Sequence, residues 1–256
     1  MRKCVFVIGL GGVILAGLST PLLALSLVVP GVTNLFVAGQ DTTGINTMGG
    51  LFPTAINVEG ATHLTFTSVT GTTTCGVEFC SPAGGMGPDG GSLSIPSGKQ
   101  DGTKIESQGN GISGIQFTGR QMFLAGVFLD NNVPSGLGPP TPVYTSAGGL
   151  GAYSADSALG HSAFLLGQVF YVGDGRTGIN DAAGAIQSFV IPAGATRLFL
   201  GFADSFTNFS GVWGAYGDNG GSLDVTLSLE SPEPGTVMLV GLGLTILALL
   251  RKRSVS

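Results

Sequence analysis

Charge is scarce in this sequence: Asp, Glu, Lys and Arg together make up 10% of its 256 residues. Basic residues are scarcest in the middle, where Leu27 to Glu230 holds five Lys or Arg against fourteen Asp or Glu, a net charge of −9. An acidic body repels phosphates, which argues against nucleic acid as a partner, and it is compatible with divalent cations. Histidine is nearly absent, at two residues, whereas a structural zinc site needs about four ligands. Cysteine is limited to Cys4, Cys75 and Cys80. Helical periodicity is missing outside the two ends. These absences point away from zinc modules, nucleic-acid binders and helical bundles.

What is abundant is glycine, at 45 residues. Each one weakens a helix interior by roughly 1 kcal/mol relative to Ala, whereas tight turns accept it freely. The glycines are interleaved with Phe, Leu, Ile and Val in strand-like runs, which argues against disorder. His63 to Val69 alternates apolar and polar residues, and Gln121 to Leu129 is continuously apolar, as in a central strand. Gly167–Val172, Ile186–Ile191 and Thr196–Phe202 follow. Ser222 to Leu229 alternates, with Leu223, Val225, Leu227 and Leu229 on one face. Many strands with irregular loops predict an all-β fold, a jelly-roll-type β-sandwich. Long loops at residues 81–92 and 130–142 are expected at the ends of that sandwich.

The two ends read differently. Arg2 and Lys3 precede an apolar run and then small residues, the order of a signal peptide. Ala24-Leu25-Ser26 places small residues at both cleavage-defining positions, so residues 1–26 are read as the leader and 27–230 as the ectodomain. An uncleaved anchor is the alternative, since apolar character continues to Val29. At the other end, Gly235 to Leu250 is an uncharged apolar run read as a transmembrane helix over residues 235–250, short against the ~20 residues a span needs. Arg251, Lys252 and Arg253 follow it and should stay cytoplasmic. Both ends predict an exported, acidic domain. In an oxidising compartment Cys75 and Cys80 read as a disulfide clamping one loop.

Pro232-Glu233-Pro234, a short apolar helix and a basic cluster, together residues 231–256, resemble the PEP-CTERM sorting signal. The resemblance implies recognition by an exosortase, an integral-membrane cysteine protease that cuts near Pro-Glu-Pro. It also implies transient membrane anchoring, then release to the cell surface or extracellular matrix of a Gram-negative maker of extracellular polysaccharide.

One constellation inside the domain carries chemistry. A strand ends at Asp204, and residues 214–222, GAYGDNGGS, lead into the last strand. Asp204, Asp218 and Asn219 are three oxygen-bearing side chains at neighbouring strand ends. Calcium takes about six to eight hard oxygen ligands, backbone carbonyls included. Asp218-Asn219-Gly220 is also an ordinary turn sequence. Residues 191–195 (IPAGA), the strand to Asp204 and residues 215–222 resemble the PA-IL-like calcium-dependent galactose-binding lectins. By that resemblance Asp204, Asp218 and Asn219 give side-chain ligands and Ala215 a backbone carbonyl. The loop from Asp204 to Ala215 is longer here, and Asp218 stands where the lectin pattern has Asn.

Enzyme signals are poor. Gly160-His161-Ser162-Ala163-Phe164 lacks the last glycine of a nucleophile elbow and its α/β setting, and His63 lies in a strand-like run. The expectation is therefore a non-enzymatic surface or matrix protein with a calcium-dependent carbohydrate-binding domain. Its partners would be exosortase, the membrane and extracellular polysaccharide or galactosides. A structural surface protein without ligand is the alternative, with an exopolysaccharide hydrolase behind it.

Overall fold

A computed structural model of the chain describes residues 23–76, 85–92, 102–145, 164–178, 183–207, 210–231 and 243. An outer antiparallel sheet has the order β1 (Leu23–Pro30), β15 (Gly220–Glu230), β3 (His63–Thr74), β11 (Ser188–Val190). A central antiparallel sheet runs β10 (Val169–Tyr171), β8 (Leu124–Leu129), β12 (Arg197–Phe202), β2 (Ile56–Asn57). A third, mixed sheet runs β13 (Ser205–Thr207), β14 (Ser210–Trp213), β5 (Gly102–Ile105), β6 (Ile115–Thr118), β9 (Val143–Thr145). The short pair β4 (Gly91–Ser92) and β7 (Arg120–Gln121) completes the set. The chain is thus all-β, as expected, with its β domain spanning Leu22–Pro232.

The central sheet is buried on both faces. Leu124 and Phe128 of β8, Phe170 of β10, and Leu198, Leu200 and Phe202 of β12 join one apolar core with Phe66 and Leu227 of the outer sheet. The alternate residues Ala125, Val127 and Leu129, with Val169, Tyr171 and Phe199, join a second core with Ile105, Ile115 and Phe117 of the third sheet. Side chains alternate across a strand, so an uninterrupted apolar run is what a middle layer requires. The described architecture is therefore a sandwich of packed sheets, as expected, with the central sheet forming the middle of three layers.

Local devices keep the layers in register. The alternation of β3 slips at Thr67: Thr226 faces Ser68 and Leu227 faces Phe66, leaving Thr67 as a bulge. A bulge inserts one extra residue, so Leu64, Phe66 and Val69 are all buried despite their odd spacing. The expected strand from Gln121 to Leu129 is broken at Met122, whose φ is +51°. That left-handed turn separates β7 from β8. Gly126 of β8 faces Phe170 in register, and a Cβ there would lie 2.7 Å from the Phe170 ring. The missing side chain lets Phe170 lie across β8 and stack on Phe128 at 5.1 Å.

Cys75 is buried and disulfide-bonded; its expected partner, Cys80, lies outside the described residues. A non-reduced digest of the exported protein should yield a peptide linking Cys75 to Cys80. The loop is short, so its contribution should fall at or below the usual ~2–4 kcal/mol. An alkylatable Cys80 thiol in the native protein would refute the pairing.

Apart from Gly243, which is helical, the expected helices at the two ends, Pro232, Glu233, Pro234 and the basic cluster Arg251, Lys252 and Arg253 also lie outside the described residues. Among the described residues, no helix is long and apolar enough to cross a membrane. Strand β1 pairs with β15 over its whole length, from Leu23 opposite Leu229 to Pro30 opposite Ser222. It therefore straddles the expected boundary between leader and ectodomain.

Candidate functional site

Two of the four expected calcium ligands meet directly. β12 ends at Phe202, and Asp204 lies two residues on, 2% exposed. Asn219 sits between a 3-10 turn, Tyr216–Asp218, and β15. Its Nδ2 donates to Asp204 Oδ2 at 2.9 Å and to the Gly31 carbonyl at 3.3 Å. The backbone N–H of Ser205 donates to the other Asp204 oxygen, Oδ1, at 2.7 Å. Burial pushes the Asp204 carboxyl up to about 7, against the lowering effect of the bonds from Asn219 and Ser205, and the charge of Asp218 adds to the rise. Desolvation disfavours the charged form of a carboxyl, so Asp204 holds its proton up to about neutral pH, and once ionised it needs positive charge beside it.

Asn219 is itself 8% exposed, and its Oδ1 is buried without a hydrogen-bond partner. Buried polar atoms are nearly always paired, so an orphan oxygen beside a buried carboxylate is a feature to explain. In the present arrangement the amide protons of Asn219 supply the positive end between Asp204 Oδ2 and the Gly31 carbonyl. Turning that amide over would bring a third oxygen to the same point, an arrangement that a hard cation would hold together. These oxygens are of the hard kind that calcium takes, and they number three of the roughly six to eight it needs. Among the described residues, no group of three or more His, Cys, Asp or Glu could hold a metal ion.

The other two expected ligands are placed differently. Ala215 has φ of 64°, in the left-handed region, and its carbonyl accepts from Asp218 N at 3.5 Å. The left-handed region is uncommon for a residue with a Cβ, and such strain clusters at functional sites. Asp218 is exposed and lies beside Gly76, where a Cβ would come 2.7 Å from its carboxylate. Tyr216 anchors the turn from below: its hydroxyl donates to the Phe202 carbonyl at 2.9 Å and accepts from Asp204 N at 3.2 Å. Neither Tyr216 nor Gly31 stood out in the sequence. Tyr216 sits inside the quoted motif, whereas Gly31 is 188 residues from its partner and follows the N-terminal apolar run.

The loop at residues 85–92 is fastened at its acidic residue. Asp89 is 2% exposed, and its Oδ1 accepts from the Tyr171 hydroxyl at 2.6 Å and from Asp174 N at 2.9 Å. A Cβ on Gly173 would collide with both the Tyr171 hydroxyl and the Asp89 carboxylate, and its φ is +58°. This cluster ties β10 to the loop. His63 bonds through Nδ1 to the neighbouring Thr62 hydroxyl at 3.1 Å, at the start of β3. His161 and Ser162 lie outside the described residues.

Compared with protein-family models, curated proteins and solved structures, the chain finds no match.

Proposed function

We propose that the chain is an exported surface or matrix protein whose β domain binds carbohydrate through one calcium ion held by Asp204 and Asn219. The carbonyl of Ala215 and the carboxylate of Asp218 complete the ligand set in this reading, and the Gly31 carbonyl joins them. The orphan Oδ1 of Asn219 against the buried Asp204 carboxylate carries the proposal. The outer and central sheets serve as the sandwich of a jelly-roll, galactose-binding-domain-like module, and the third sheet is an addition to it. The leader and the PEP-CTERM-like tail carry the export and sorting reading. Exosortase, the membrane and extracellular polysaccharide or galactosides are then the partners, with no enzymatic role.

Calcium binds the folded state in this reading, so it should raise Tm in a concentration-dependent way. At ~100 times Kd the gain is roughly 2.7 kcal/mol. Asp204→Ala removes a ligand and should abolish the shift, while Asp218→Asn keeps an oxygen and should only weaken it. Magnesium should substitute poorly, because it demands tighter octahedral geometry. Equal melting in calcium and in EDTA would sink the metal site. Binding to a galactoside-bearing glycan array that vanishes in EDTA would establish the sugar; calcium binding without it would leave a structural metal.

One observation favours a structural protein without ligand. Asp204 is already hydrogen-bonded to Asn219 and Ser205, and protonation near neutral pH could leave the corner as a closed polar network. The EDTA comparison separates the two readings.

A further inference from the structure

The boundary of the folded domain places the leader's cut. Strand β1 begins at Leu23, in the segment where a leader would end, and pairs residue for residue with β15. A cut after Ser26 would remove Leu23, Ala24, Leu25 and Ser26, half of the eight-residue strand. It would strip the pairing from Leu229, Ser228, Leu227 and Thr226. It would also remove the Ser26 Oγ to Thr226 Oγ1 bond at 3.0 Å. Of the four β15 residues so uncovered, Leu227, Ser228 and Leu229 are all buried. A backbone edge beside buried residues loses partners it needs.

Upstream of Leu23 the sequence offers another cut. Gly17-Leu18-Ser19 puts small residues at the same two positions that Ala24-Leu25-Ser26 does. The uncharged run before it, Val5 to Leu18, has 14 residues, within the roughly 7–15 of an ordinary h-region. A cut after Ser26 would instead leave Thr20 and Pro21 between that run and the cleavage positions. Pro21 disfavours continuation of a helix through this point.

Resting on the export reading above, we propose that the leader is removed between Ser19 and Thr20, and that β1 is wholly part of the mature domain. The step is hydrolysis of one peptide bond by a membrane-bound leader peptidase. One water is consumed, leaving a carboxylate on Ser19 and an amino group on Thr20. Thr20, Pro21 and Leu22 then form the mature N-terminus ahead of the strand.

N-terminal sequencing of the exported full chain tests this, with Ser19→Leu and Ser26→Leu as paired variants. A mature N-terminus at Thr20 is expected, with precursor accumulating in Ser19→Leu and processing unchanged in Ser26→Leu. Ser26 is exposed, so its variant is not expected to fail through misfolding. An N-terminus at Leu27, with Ser26→Leu blocking the cut, would overturn the assignment. Exported protein that retains Met1 would overturn it too, while leaving export standing. Protein that stays in the cytoplasm with Met1, Arg2 and Lys3 intact would overturn the export reading itself.

Discussion

In EDTA, the protein should lose stability as pH rises from about 4 to about 7. Asp204 has an ordinary value of 3.8 in the unfolded chain and is pushed up to about 7 by burial in the folded one. Between those two values the folded state holds a proton that the unfolded state has released. Stability then falls with rising pH, because the unfolded state binds fewer protons. The stabilising contribution is fully present below the unfolded value and lost by the time pH passes the folded one. A shift of this size corresponds to roughly 4 kcal/mol across the window. Asp174 is raised in the same direction, by burial first and then by the charge of Asp89, so it adds to the slope with the same sign. Asp204→Asn cannot ionise and should remove most of the slope, leaving the part that Asp174 contributes. Calcium should reverse the trend above pH 7 in the parent protein, because a bound cation favours the ionised carboxylate. Urea midpoints taken at half-unit pH intervals, with and without calcium, would read both effects. A flat profile in EDTA would show that Asp204 keeps an ordinary carboxyl.

The parts of this fold that the sequence makes legible are those where one strand carries its own pattern. β15 shows it in Leu223, Val225, Leu227 and Leu229, all buried. The apolar run of β8 likewise identifies a strand covered on both faces, and all six of its residues are buried. What covers the second face is not legible, because β5 and β6 are four residues each and mix polar with apolar side chains. Thr67 and Met122 disturb their strands through backbone geometry that composition does not record. β1 is hidden for another reason: its residues, LALSLVVP, resume the apolar character of the N-terminal run just past Thr20 and Pro21, so no pattern of their own marks them off. The candidate site divides along the same line. Asp204, Ala215, Asp218 and Asn219 fall within one sequence window and were found together. The Gly31 carbonyl is brought in by the pairing of the first strand with the last, and a backbone oxygen leaves no mark on the sequence.

The three-layer arrangement makes adjacent residues of one strand equally intolerant, and this is the second large effect we expect. Val127 and Phe128 are neighbours in β8 and point to opposite faces of the central sheet. Phe128 enters the core shared with the outer sheet, where it stacks on Phe170. Val127 enters the core shared with the third sheet. Both are fully buried. Phe128→Ala removes most of a ring and leaves a cavity, which typically costs ~3–5 kcal/mol. Val127→Asp places a carboxylate in an apolar core, where desolvation costs several kcal/mol unless a partner or a proton is found. Either change alone consumes much of the ~5–15 kcal/mol that holds an ordinary domain together. In a two-layer sandwich one face of each sheet meets solvent, and one of these two substitutions would be tolerated. Melting of both variants, beside the exposed control Val133→Asp, distinguishes the architectures. Val133 is 57% exposed in the loop after β8, so its variant should melt close to the parent. Large losses in both Val127→Asp and Phe128→Ala would confirm a buried middle sheet. A near-parental Val127→Asp would mean that the third sheet does not cover β8, and the domain would then be the simpler sandwich.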